Sequence, residues 1–145
     1  MKVTMMLADF AQVADGKLTI VGGGWSVTGP MPVPFAIAVL FEVPWDRANE
    51  KHRFRLDLVD ADGHVVFAET EEGEEPVVIE GEFEAGRPPG LKPGTPLDVP
   101  LAINLPGPPV PPGGRYEWRL TVNGAHESDW RLPFSTRGEE ELELQ

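Results

Sequence analysis

Three aspartates, Asp57, Asp60 and Asp62, crowd the stretch LDLVDADGH. Carboxylate oxygens gathered in a loop suit calcium, a hard cation. The tetrapeptide Asp60-Ala61-Asp62-Gly63 equally suits a plain turn, because Asp bonds to its own backbone and Gly accepts a positive φ. Nucleophilic catalysis would need a Ser or Thr beside a His and an acid that orients it. Ser26, in Gly24-Trp25-Ser26-Val27-Thr28, lacks the following glycine of a nucleophile elbow. His52, His64 and His126 each border a turn signal among charged residues and read as surface imidazoles. His126-Glu127-Ser128-Asp129 gathers donor atoms, but a zinc site wants a second His at defined spacing. Gly22-Gly23-Gly24 runs into strand-like WSVTGP rather than a helix, so the amides that would cradle a phosphate are not expected to converge. Two carboxylates acting as acid and base would have to face each other across a cleft. A small hydrolase using loop carboxylates is therefore the enzymatic alternative.

Glu80, Glu82 and Glu84 form the more specific surface feature. On a strand they share one face, with successive members roughly 6.8 Å apart. Such a ladder either pairs with arginines across the sheet or docks a basic protein partner. Arg53 and Arg55, or Arg115, Arg119 and Arg131, are the available internal cations.

The elements that must position these residues read as short strands. The sixteen Gly and sixteen Pro interrupt every window long enough for an amphipathic helix. The strongest pattern is RYEWRLTVNGAHESDWRLPF at 115–134, where Tyr116, Trp118, Leu120 and Val122 alternate with charged residues and Trp130, Leu132 and Phe134 repeat the pattern after a turn. A hairpin with so aromatic a face needs a second apolar sheet over it. A second hairpin is expected from Phe54, Leu56 and Leu58 through the turn at 60–63 into His64-Val65-Val66-Phe67. Residues 2–13 read as one strand, Lys17 to about Thr28 as another, and 69–76 (ETEEGEEP) as an exposed acidic loop. Trp25 is expected to fold over the bare backbone of the three glycines. Residues 46–50 (DRANE) form a helical turn or a loop.

An apolar run without alternation begins at Phe35 and ends at Phe41. Either it is a central strand covered on both faces by the chain, or one face is covered by a partner subunit. The second option leads us to expect a homo-oligomer built on the faces of Phe35 to Phe41. Residues 88–112 contain ten prolines around an alternating strand, Leu97, Val99, Leu101, Ile103 and Leu105, and Pro100 assigns that strand to a sheet edge. The prolines flanking it read as stiff loops.

Some nine strands in 145 residues predict an all-β, two-sheet antiparallel sandwich of Greek-key, jelly-roll or immunoglobulin-like type, with a closed barrel as the alternative. One domain at 1–137 and an acidic tail at 138–145 are expected. Residues 69–84 hold eight Glu and no basic residue, and the tail adds four, which accounts for the net charge of -12. That sign disfavours nucleic acid as a partner. The chain has no Cys, which removes thiol catalysis and Cys-ligated metals. Neither a secretory signal nor an apolar run of the ~20 residues a membrane helix requires is apparent. The expectation is a cytoplasmic protein with no cofactor. A carbohydrate-binding sandwich would need exposed, coplanar aromatics. With Trp118 and Trp130 assigned to the core, Trp25 and Trp45 are the candidates for that role or for partner binding.

MLADFAQVADGKLTIVGGGW at 6–25, followed by the buried strand and by PGGRYEWRLTVNG, resembles a group of small bacterial proteins of uncharacterised function, most familiar from actinobacteria. The LADxAQ…GKLxIxGxGW run is the specific part, and the resemblance spans essentially the whole chain. It implies a stand-alone cytoplasmic β-sandwich and transfers no activity and no functional residue.

Overall fold

A computed structural model describes residues 1–107 and 110–138. In chain order its strands are β1 (Lys2–Ala8), β2 (Phe10–Ala14), β3 (Lys17–Val21), β4 (Val27–Thr28), β5 (Phe35–Val43), β6 (His52–Asp60), β7 (Phe67–Thr70), β8 (Gly73–Pro76), β9 (Val78–Phe83), β10 (Leu97–Leu105), β11 (Arg115–Val122) and β12 (Arg131–Thr136). A 3-10 turn at Trp45–Arg47 follows β5, and no α-helix occurs among the described residues. The protein is all-β, with two sheets packed face to face. One has three strands in the order β1-β5-β10, the other five in the order β4-β12-β11-β6-β9. Hairpins β2–β3 and β7–β8 stand outside these sheets. Pairing is antiparallel except for β4, which runs parallel to β12.

Strand alternation builds the core. Phe35, Ile37, Val39 and Phe41 of β5 meet Phe54, Leu56 and Leu58 of β6 and Trp118, Leu120 and Val122 of β11. Aromatic rings bridge the two sheets: Phe41 stacks on Phe83 at 4.0 Å, and Phe35 lies 6.4 Å from Trp118. Trp118 and Trp130 are buried, as the alternation predicts. Gly81 of β9 lies where a Cβ would come within 2.6 Å of the Phe54 ring, so its bare backbone makes room for that ring. β10 is an edge strand, the position its Pro100 requires.

The second face of β5 has a different cover. Ala36 and Ala38 are buried against Ala8 and Ala11, with Met6, Leu18, Ile20 and Ala102 packed around them. The β2–β3 hairpin lies over this small-residue layer. It is fastened to the edge strand by Asn104, whose Nδ2–H donates to the Ala11 carbonyl (2.8 Å) and whose Oδ1 accepts the Ala11 N–H (3.3 Å). A side-chain amide here substitutes for a backbone ladder partner. The apolar run from Phe35 to Phe41 is thus a central strand covered on both faces by its own chain. Leu40 alone in it is less than fully buried, so those faces are not open to a partner subunit.

Four further expectations change. The first strand breaks at Asp9, whose N–H turns away to the Val21 carbonyl (3.0 Å). The second stops at Val21 because Gly22 (φ 60°) and Gly24 (φ 87°) turn the chain, and β4 resumes in the other sheet. Gly23 makes the close approach expected of a strand glycine, since a Cβ there would lie 2.7 Å from the Ile20 side chain. After the 60–63 turn the chain forms only a Val59–Val65 bridge with β6. The true neighbours of β6 are β9 and β11. The acidic loop is the β7–β8 hairpin, which alternation could not reveal because both its faces are almost wholly exposed. The acidic tail, with Glu139, Glu140, Glu141 and Glu143, lies outside the described residues, as do Pro108 and Pro109 of the proline-rich loop.

Candidate functional site

Asp57 is separated from the other two aspartates by its partner, accepting from Arg55 Nε at 2.9 Å. Asp60 Oδ1 accepts the backbone N–H groups of Asp62 and His64, each at 2.9 Å. These bonds, that from His64 above all, hold the Asp60 carboxyl below its ordinary range. Carboxylate and imidazole atoms of Asp60, Asp62 and His64 fall within 4.8 Å of one another. Asp60 already spends one oxygen on its own turn, which is what a D-A-D-G turn alone would require.

His52 corrects the reading of the histidines as surface groups: it is fully buried and stacks on Phe83 at 5.1 Å. Asn123 explains why. At φ 53° it begins a tight turn with Gly124, and its Oδ1 accepts the Arg53 N–H at 3.0 Å. That fixes its Nδ2–H toward His52 Nδ1, also at 3.0 Å. The ring proton therefore sits on Nε2, which is buried with no partner among the described residues. The imidazole behaves as an aromatic core residue, and its place on the buried alternation His52, Phe54, Leu56, Leu58 was the available signal. His64 is exposed, and His126 donates from Nδ1 to the Leu120 carbonyl at 2.7 Å.

The two candidate tryptophans are separated by the length of β5 and form no coplanar platform. Trp25 packs edge-on to Phe35 at 6.2 Å. Trp45 is half-buried under the Arg87 guanidinium, 4.4 Å above its ring. Arg87 also donates to the Trp45 carbonyl at 2.6 Å.

The outer face of the five-stranded sheet carries the arginines in register. Glu80 pairs with Arg55 (3.1 Å) and Glu82 with Arg53 (3.3 Å), each across the β9–β6 ladder. Two members of the glutamate ladder are thereby neutralised internally. Glu84 lies just beyond β9 and makes no ion pair among the described residues. On β11 and β12 Arg119 and Arg131 are direct cross-strand neighbours. Like charges so placed repel, and both lean on one half-buried carboxylate, Glu117. Arg115 has no ion pair or side-chain hydrogen bond among the described residues. The three arginines, with Val27, Pro133 and Asp60, line a groove of about 480 Å³. Asp60 and Glu117 are its carboxylates. One is bound to backbone amides and the other to arginines, so neither is placed as a free acid or base.

The β7–β8 arm is the opposite case. Thr70 closes its turn, Oγ1 donating to the Gly73 carbonyl (2.9 Å) and accepting the Glu72 N–H (3.2 Å). Glu69 lies directly opposite Glu74, and Glu71, Glu72 and Glu75 complete five carboxylates with no ion pair among the described residues. Ala68, Thr70 and Glu75 turn toward a cleft of about 310 Å³ shared with Leu105, Pro106 and Trp118. Phe67, Glu69 and Glu74 are exposed and do not line it.

A family model of unknown function, DUF6941, matches residues 3–135. The chain belongs to that family. The DUF6941 match covers every strand from β2 to β11 and nearly all of β1 and β12, so the sandwich described above lies within it. No curated protein matches the chain. Among the described residues of this DUF6941 member no helix is long and apolar enough to cross a membrane.

Proposed function

We propose that this protein is a non-enzymatic interaction module of the bacterial cytoplasm that acts through its surface, with the β7–β8 arm as its docking element for a cationic partner. The observation that carries this reading is the arm itself. Five carboxylates stand on ten residues, one pair directly opposed across the ladder, and no cation of the chain is paired with them among the described residues. Repulsion between Glu69 and Glu74 works against the hairpin, and an outside cation would offset it. The arm replaces the Glu80–Glu84 ladder in this role, because Arg53 and Arg55 already satisfy two of the ladder's three carboxylates. The LADxAQ…GKLxIxGxGW run supports the bacterial setting.

Fluorescence anisotropy with a labelled nona-arginine peptide tests the reading. Replacing Glu71, Glu72 and Glu74 with Gln should weaken binding by at least about tenfold, and replacing Glu80, Glu82 and Glu84 should weaken it less. Equal loss in the two variants, or none in the first, would refute the arm as the docking element.

A further inference from the structure

The arm and the arginine groove carry opposite versions of one arrangement. In the arm, Glu69 faces Glu74 across an antiparallel ladder; beside the groove, Arg119 faces Arg131 in the same way. Directly opposed side chains of such pairs have Cβ atoms about 4.5–5.5 Å apart in either case, so the two patches match in spacing as well as in sign. Each patch is internally unbalanced. The arm has five carboxylates and no cation, while the groove sets Arg115, Arg119 and Arg131 against Glu117 and the amide-bound Asp60. Apolar surface accompanies both. Phe67, at the root of the arm, is 55% exposed, and Val27, at the groove, is 47% exposed. In a chain of net charge -12, the outer sheet face is where cations gather, with Arg53, Arg55, Arg115, Arg119 and Arg131 all on β6, β11 and β12.

Within one molecule the two patches do not face each other. The arm borders the cleft that reaches Trp118 and Ile79, on the core side of the five-stranded sheet, whereas the groove opens on its solvent side. We propose that the acidic arm of one copy seats in the arginine groove of a second copy. Glu69, Glu71, Glu72 and Glu74 meet Arg115, Arg119 and Arg131, and Phe67 approaches Val27 and Pro133. Arg115, which has no ion pair among the described residues, gains a carboxylate partner, and Arg119 and Arg131 gain carboxylates besides Glu117. This inference rests on the arm being a docking element and adds the identity of the cation it meets.

Charge exchange tests it. One variant reverses the groove (Arg115→Glu with Arg131→Glu), and a second reverses the arm tip (Glu71→Arg, Glu72→Arg and Glu74→Arg). All five positions are exposed, and thermal melts by circular dichroism establish that both variants fold. If either does not, the corresponding Gln substitutions replace it in the single-variant measurements. Sedimentation velocity should show reversible self-association of the wild-type chain at low salt. This association should be lost in 1 M NaCl, where the Debye length falls to about 3 Å. Each variant alone should sediment as a monomer, and an equimolar mixture should associate again, because the acidic arm of the first meets the intact groove of the second and the reversed pair also matches. A monomeric wild type, association that survives in either variant, or a mixture that stays monomeric would each overturn the inference. A monomeric wild type that still binds nona-arginine through its arm overturns only this step, whereas loss of both removes the docking role as well.

Discussion

The two faces of β5 show how differently one strand can be buried. Its odd-numbered side chains, Phe35, Ile37, Val39 and Phe41, enter a core of large rings and branched aliphatics contributed by the opposite sheet. Its even-numbered Ala36 and Ala38 lie against alanines of β1 and β2, so the β2–β3 hairpin approaches closely with little side-chain volume between them. The first face derives its stability from area removed from water, at roughly 25 cal/mol per Å². The second has little area to bury, and there the fit of small residues and the Asn104 clamp hold the hairpin in place.

The largest effect should come from the first face. Phe41 is fully buried and stacks on Phe83, so Phe41→Ala should cost about 3–5 kcal/mol of unfolding free energy by urea titration. A loss below about 1 kcal/mol would mean that the sheets are not joined by this pair. The second face should fail in the opposite sense. Ala38→Leu adds volume where none is free, and should cost about 1–3 kcal/mol by overpacking. If instead Ala38→Leu is neutral, the hairpin is loosely laid on β5 rather than fitted to it.

Asn104 sharpens the comparison at smaller cost. Its side chain is exposed, so water can take over part of its role, and Asn104→Ala should cost about 1 kcal/mol. The more informative measurement is hydrogen exchange at the Ala11 amide, which Asn104 Oδ1 accepts. Faster exchange confined to β2 and β3, with β5 and β11 unchanged, would identify the hairpin as a separately opening unit. Uniform acceleration would mean that it unfolds only with the rest.

What could be read from the sequence follows the same division. Alternation of large apolar and charged residues located β6, β9, β10, β11 and β12 and the edge position of β10, because a mismatch there would bury a charge or lose a ladder bond. On β5 the same rule gave only half an answer. Alanines bury as readily under a neighbouring hairpin as under a partner, and nothing in the run from Phe35 to Phe41 distinguishes the two. The polar type of His52 points to the surface, whereas its place in the alternation with Phe54 and Leu56 marks it as inward-facing. The β7–β8 arm left no apolar trace, and its pairing rests on a two-residue turn that composition alone renders as a loop. The arginine groove is a matter of register. That Arg119 lies beside Arg131 depends on how the hairpin from Val122 to Trp130 closes, with the Ala125 N–H on the Val122 carbonyl and the Trp130 N–H on that of Glu127.

The smallest expected effect concerns the turn at Asp60, where ion binding by Asp60, Asp62 and His64 can be separated from ordinary turn chemistry. The Asp60 carboxyl is held below its usual range chiefly by the His64 N–H, with the Asp62 N–H adding to it. A carboxylate with a depressed folded pKa contributes stability that is present above its unfolded value, about 3.9, and is lost as pH falls through the folded value. Asp60→Asn keeps an oxygen that can accept both amides but removes the titration. The variant should therefore match the wild-type turn in structure, and its stability should fall less steeply than that of the wild type as the pH drops below about 4. Parallel acid limbs for the two proteins would show that the amide bonds do not favour the ionised form. A calcium-dependent gain in melting temperature, present in the wild type and lost in Asp60→Asn, would show that the carboxylate serves an ion as well as its own turn. Identical melts with calcium and with a chelator would leave the turn as the whole role of Asp60, in keeping with an oxygen already committed to two backbone donors.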